Sequence, residues 1–238
     1  MNRIGYKHRF RCFALPVVFA ACQPFGFAAT FNAAADFSSV SNPAGNGWSY
    51  GYYTIGSPLT LMTVLSHDPT TTLGFDTWQP SSTRLFPDIS KNLNPVGFNG
   101  CPAGCLSGAN GNGSSLSVVR LTNNTSDYYA QVTATFSGYY SGNNPNGLGN
   151  QIQTGYILLN GVTWSSNSFT NVGSGFGSIT LSGTVLLSPG ETIDFGLANG
   201  RIVLDARIST LPLPEPGSCW LVFLGISGLT IRYRLLKR

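Results

Sequence analysis

Between residues 29 and 211 apolar and polar positions alternate in short runs. The segments Trp48 to Thr54, Leu59 to Leu65, Leu116 to Thr122, Tyr128 to Tyr139, Ile152 to Leu159, Gly161 to Trp164, Ser178 to Leu187, Thr192 to Leu197 and Ile202 to Ile208 are rich in β-branched and aromatic residues. Each is predicted to be a strand. Asn160-Gly161 sits between Ile157-Leu158-Leu159 and Val162-Thr163-Trp164, and both residues tolerate positive φ, which predicts a two-residue hairpin turn. Ser188-Pro189-Gly190-Glu191 predicts a type I or II turn before Thr192. No helical period of useful length interrupts the series, so the body reads as an all-β, antiparallel β-sandwich of jelly-roll type. Asp88 to Ser115 and Ser141 to Gly149 break the alternation with Gly and Asn and read as surface loops, either functional or plain connectors.

The two ends have a different pattern. Arg3, Lys7, Arg9 and Arg11 precede an apolar stretch from Cys12 to Ala21, and Gly26-Phe27-Ala28 offers a small-x-small cleavage site. Residues 1–28 are therefore predicted to be a secretory signal peptide with a helical apolar region. Phe19-Ala20-Ala21-Cys22 also resembles a bacterial lipobox, with Phe in place of the usual Leu or Val, which raises lipidation of Cys22 as an alternative.

Residues 212–238 form the opposite end. Pro214 and Pro216 flank Glu215; each proline lacks an amide hydrogen and disfavours helix before it, so this stretch should be extended and open to a processing enzyme. Gly217 to Ile231 then carries no charge, and Trp220, Leu221, Val222, Phe223, Leu224, Ile226, Leu229 and Ile231 would form a short membrane helix. At about 1.5 Å per residue it reaches about 22 Å against a hydrocarbon core of about 30 Å, so it spans only if its flanks help. Arg232, Arg234, Lys237 and Arg238 supply a basic stop that favours the cytoplasmic side, leaving the body outside.

Pro214-Glu215-Pro216, the apolar segment and the basic end together resemble the PEP-CTERM sorting signal of exported bacterial proteins. That resemblance implies an integral-membrane exosortase as processing partner, after the export translocon and signal peptidase. It also implies transient anchoring by the C-terminal helix, a final place at the cell surface or outside the cell, and company with exopolysaccharide. The body is similar, in order, to the β-sandwich domain recurrent among such sorted proteins. The similar segments are Ala35-Asp36-Phe37-Ser38, Ser41-Asn42-Pro43, Trp48 to Tyr52, Ser117 to Thr122, Ala134 to Gly138, Leu158 to Val162 and Pro189 to Phe195. Ala198-Asn199-Gly200-Arg201 is shorter than the Gly- and Asn-rich loop expected before the final strand.

Charge and cysteines change the picture further. The formal net charge is +4, with 13 bases and 9 acids, but four bases precede Cys12 and four follow Ile231. Residues 29–211 keep five bases and eight acids, 5 − 8 = −3, so the basic pI gives no argument for nucleic acid. Of the five cysteines only Cys101 and Cys105 lie in the body, and an oxidising compartment favours a disulfide between them. A zinc centre would need four ligands, and a redox-active pair would sit in a βαβ context that is missing here.

Catalytic chemistry is hard to place. Asp36, Glu191, Asp194 and Asp205 form no recognisable acid–base pair, His67-Asp68 is the sole His–acid neighbourhood in the body, and Gly173-Ser174-Gly175 lacks nucleophile-elbow spacing. The sequence predicts no enzyme, no cofactor and no metal centre, though Asp36 and Asp205 could share a calcium ion if the first and last strands are neighbours. Trp48, Trp78 and Trp164 have the ring faces that stack on sugars, while the bland reading makes them core. The expectation is an exported structural or interaction protein of the surface or matrix; the alternatives are an exopolysaccharide-binding module and, behind it, a secreted hydrolase.

Overall fold

The computed structural model describes residues 29–67, 74–83, 86–97, 101–110, 114–138, 152–170 and 176–211. The signal-peptide helix, Cys22, the sorting motif Pro214-Glu215-Pro216, the apolar segment and the basic end all lie outside the described residues. Among those described there are fourteen strands and no helix, hence none long and apolar enough to cross a membrane. In chain order they are β1 (Thr30–Asn32), β2 (Trp48–Tyr53), β3 (Thr60–Leu61), β4 (Val64–His67), β5 (Phe75–Gln79), β6 (Asp88–Asn92) and β7 (Leu106–Ala109). The second half holds β8 (Leu116–Thr122), β9 (Tyr128–Gly138), β10 (Ile152–Leu159), β11 (Val162–Thr170), β12 (Ser178–Leu187), β13 (Thr192–Ala198) and β14 (Arg201–Leu211).

They form two antiparallel sheets packed as a sandwich. The larger, sheet A, has eight strands in the order β12-β9-β14-β7-β6-β5-β4, with β1 beside the end of β14. The smaller, sheet B, has six in the order β11-β10-β13-β8-β2-β3. From β8 onward the chain moves back and forth between the sheets, because each strand presents one apolar row that must be covered by the facing layer. Trp48, Tyr50, Val119, Leu121, Ile193, Phe195 and Ile157 from sheet B meet Ala130, Val132, Ala134, Phe136, Leu204, Ala206 and Ile208 from sheet A in one core. The period of two is visible in β9, whose residues alternate buried and exposed for most of its length.

Turn chemistry follows the residues. Asn160 and Gly161 have φ of 51° and 78°, as a primed hairpin turn requires, and join β10 to β11. Gly190 has φ 85°, which fits position three of a type II turn, and this turn carries the chain across the sandwich from β12 to β13.

Several readings of the sequence need correction; the strand expected over Gly161 to Trp164 runs on to Thr170 as β11, and β1 and β5 were not foreseen. The run Leu59 to Leu65 is not one strand: it divides into β3 in sheet B and β4 in sheet A. Asp88 to Ser115 is not all loop, since β6 and β7 sit in the middle of sheet A with Ile89 and Leu106 fully buried. Their residues, Asp-Ile-Ser-Lys-Asn and Leu-Ser-Gly-Ala, have weak strand propensity, and tertiary pairing on both sides supplies what the propensity lacks.

Candidate functional site

The three tryptophans do not share a face. Trp48 is fully buried with Nε1 donating to Asp36 Oδ2 at 3.2 Å, and Trp78 is buried with Nε1 donating to the Ser38 carbonyl at 2.8 Å. Both offer no ring to a ligand, which corrects the stacking role considered for them. Trp164 occupies a bulge: Ile157 faces Ser165 and Leu158 faces Thr163, so Trp164 is the extra residue on β11. The bulge turns its ring over Gly183 of β12, where a Cβ would lie 2.5 Å from the ring. Trp164 closes the side of the sandwich and stays 36% exposed.

Other polar groups are committed to structure. Asp194, fully buried, accepts from Arg120 Nε at 2.6 Å, from Arg120 Nη2 at 2.7 Å and from the Tyr53 hydroxyl at 2.7 Å. These three lie on the outer side of sheet B beside an apolar cluster of Tyr53, Leu116, Val118, Leu158 and Ala198. Hydrogen bonding to Asp194 pushes the Arg120 pKa up, and burial followed by the Asp194 charge pushes the Tyr53 hydroxyl up, so Arg120 is held as a cation and Tyr53 as a neutral phenol. His67 Nδ1 pairs with Asp76 Oδ1 at 2.5 Å, because β4 and β5 place His67 opposite Asp76, and the sequence neighbour Asp68 lies outside the described residues. Lys91 donates to the Ala34 carbonyl. Asp36 accepts the Asn32 amide, while Asp205 pairs with Arg207. Asp36 and Asp205 are thus each engaged separately, and no group of three or more metal-ligating side chains occurs among the described residues.

On the outer side of sheet A, Asp88 accepts from Arg201 Nη2 at 2.6 Å, with Ser90 and Ser107 alongside. Cys101 and Cys105 are joined as a disulfide with Cα atoms 5.7 Å apart, and Cys101 packs on Val203 of the same face. Burial pushes the Asp88 carboxyl above its ordinary 3.8, more than Arg201 draws it down. The folded state then holds that proton more tightly than the unfolded chain. Asp88 therefore contributes stability at low pH that is lost as pH rises from 3.8 through the raised value. Thermal melts across this range should show the wild-type minus Asp88→Asn stability difference falling as pH rises; a flat difference would contradict this sign.

Among the described residues, the outer face of β12, β9, β14 and β1 is an open and chemically coherent surface. Strand register sets it out in rows. Thr184, Gln131, Ser209 and Thr30 form one, Ser182, Thr133, Arg207 and Asn32 the next, and Thr180, Thr135 and Asp205 a third. Neighbours in a row are about 4.8 Å apart and rows about 6.8 Å apart. Thr135 and Thr180 hydroxyls are hydrogen-bonded at 2.9 Å, and Arg207 Nε donates to Asp205 Oδ1 at 3.1 Å. At one end Leu186, Tyr129 and Leu211 stand side by side, 44%, 40% and 45% exposed. Sequence reasoning passed over this face because no single residue marks it; its signal was the alternation of Ser and Thr with apolar residues in β9, β12 and β14.

No protein-family model matches the chain, and no characterised protein matches it in sequence. Among solved structures it is similar to a CBM35 module from Paenibacillus barcinonensis, at 13% identity over 78% of this chain and 99% of that one, TM-score 0.29. It is also similar to the isomalto-dextranase of Arthrobacter globiformis complexed with panose, at 10% identity over 68% of this chain and 23% of that one, TM-score 0.32. A third is the Podospora anserina GH26-CBM35 β-(1,4)-mannanase, at 13% identity over 72% of this chain and 29% of that one, TM-score 0.31.

Proposed function

We propose that this chain is an exported, non-catalytic β-sandwich that binds extracellular polysaccharide at the cell surface. The observation that carries the binding half is the outer face of β12, β9, β14 and β1. Hydroxyls of Ser and Thr both donate and accept, Gln131 adds an amide, and Asp205 with Arg207 offers an acceptor and a donor side by side, which together match the hydroxyl pattern of a sugar chain. Tyr129 supplies a ring for the C–H side of a sugar at the end of the rows. Export, transient membrane anchoring by a helix within residues 212–238 and exosortase processing rest on the sequence signals at the two ends.

Binding is tested with the full chain on extracellular polysaccharide in affinity electrophoresis and on glycan arrays. Tyr129→Ala and Arg207→Ala should each raise the dissociation constant about tenfold, equivalent to about 1.4 kcal/mol. Absence of wild-type retention, or retention unaltered in both variants, defeats the carbohydrate reading. Fractionation of cells expressing the full chain and a version ending at Leu211 checks the export half independently.

A structural or interaction role is the second reading, and a separate observation favours it: sheet A ends in a long strand without charge.

A further inference from the structure

Open sheet edges expose unpaired backbone groups, and proteins usually blunt them by keeping the edge strand short or by placing Lys, Pro or a bulge on it. Two edges of this sandwich follow the rule, for β3 has two residues and β4 has four. The β11 edge carries only the bulge at Trp164, and the β12 edge has none of these devices. β12 has ten residues, Ser-Ile-Thr-Leu-Ser-Gly-Thr-Val-Leu-Leu, and β11 has nine, and neither contains a charged residue or a proline. The two edges lie on the same side of the molecule, bridged by the Trp164 ring over Gly183.

The orientation of the β12 backbone can be read from its pairing. Gly138 N donates to Gly177 O at 2.9 Å, and the register of β12 with β9 runs without a shift from Ser178 to Leu187. Antiparallel ladders alternate, so residues 179, 181, 183, 185 and 187 bond to β9 while Ser178, Thr180, Ser182, Thr184 and Leu186 direct their N–H and C=O groups away from it. Among the described strands nothing pairs with that outward side.

We propose that β12 is the seam of a homodimer, in which two copies of this chain pair antiparallel through this strand about a two-fold axis at Ser182. The outward set is centred on Ser182, so this register satisfies all of it: Ser182 meets its own copy, Thr180 meets the second copy's Thr184, and Ser178 meets its Leu186. Pleat parity then holds on the inner side as well. Ile179 faces the second copy's Val185, and Leu181 faces its Gly183, a large residue against a small one. Ile179 and Val185 are only partly buried within one copy, and the Trp164 ring is 36% exposed beside them; the seam covers all three. A closed two-fold dimer uses the edge once on each copy, so the pairing stops at two. The absence of charge is what permits it, since like charges directly opposite across strands oppose pairing.

The test is sedimentation of the full chain in detergent at matched concentration. Wild type should be dimeric. T180K/T184K places Lys opposite Lys twice and should weaken the dimer about tenfold or more, as should T180E/T184E, while an equimolar mixture of the two should associate again. T180K/T184E, with the same number of substitutions, puts Lys opposite Glu and should remain dimeric, which separates loss of pairing from loss of folding. A monomeric wild type, like-charged variants that stay dimeric, or a T180K/T184E variant that is monomeric although its circular dichroism matches wild type would each overturn the proposal.

Discussion

Replacing Asp194 by Ala is expected to cost about 3 kcal/mol of folding stability, because it leaves a part-buried guanidinium and a buried phenol without their shared acceptor. Arg120 spends both Nε and Nη2 on this one carboxylate, and Tyr53 donates its hydroxyl to the same group. The apolar side chains around them, Val118, Leu158 and Leu116, offer no substitute acceptor. Tyr53→Phe removes one neutral donor and leaves the ion pair, so it should cost only about 1 kcal/mol. The informative third variant removes both charges: Arg120→Met with Asp194→Leu should recover much of what Asp194→Ala loses, since a buried pair is expensive to halve and cheap to replace whole. Denaturant melts of the three variants check the order. If Asp194→Ala melted within about 1 kcal/mol of wild type, the trio would be a surface ornament and not a clamp between β2, β8 and β13.

That clamp shows why some of the molecule was legible in the sequence and some was not. β8, β10 and β12 were placed to the residue, because β-branched and aromatic residues bounded by turn residues mark them, and in β12 apolar and polar positions also alternate as on a sheet with one covered face. β6 and β7 escaped notice because they lie at the centre of sheet A. There, pairing on both flanks stabilises sequences such as Leu-Ser-Gly-Ala that carry little preference of their own, and local pattern carries no trace of such partners. Asp194 was visible as an acid in a strand. Its partners stand 74 and 141 residues away in the chain, so nothing nearby announced them. His67 shows the same limit, for its partner Asp76 stands opposite it on the next strand, 9 residues along the chain.

The candidate face was illegible for a related reason. A single Ser or Thr in a strand is unremarkable, and the face exists only once β12, β9, β14 and β1 are brought side by side in register. The tryptophans allowed two readings, stacking on sugars or core, and the core reading holds for Trp48 and Trp78. Their chemistry suits sugar stacking, but the largest apolar surfaces in the chain are also worth most when covered, and Trp48 and Trp78 are covered.

Gly155 to Ala should lower stability by about 3 kcal/mol, at the upper end for overpacking. A Cβ built there lies 2.4 Å from Phe136 Cγ and under 3 Å from both Cδ atoms, well inside contact distance. The ring cannot withdraw easily, because Phe136 is fully buried and sits in the middle of the core between the sheets. Gly155 is thus where sheet B lets its backbone approach the ring of sheet A, and the requirement concerns space and not a left-handed φ. The partner variant isolates the cause. Phe136→Leu alone should destabilise by leaving a void, whereas Phe136→Leu with Gly155→Ala should be more stable than the sum of the two single losses, by about 1–2 kcal/mol of coupling. Strict additivity in urea melts would mean that the added methyl does its harm elsewhere, and the close approach between the layers would lose its claim to set their spacing.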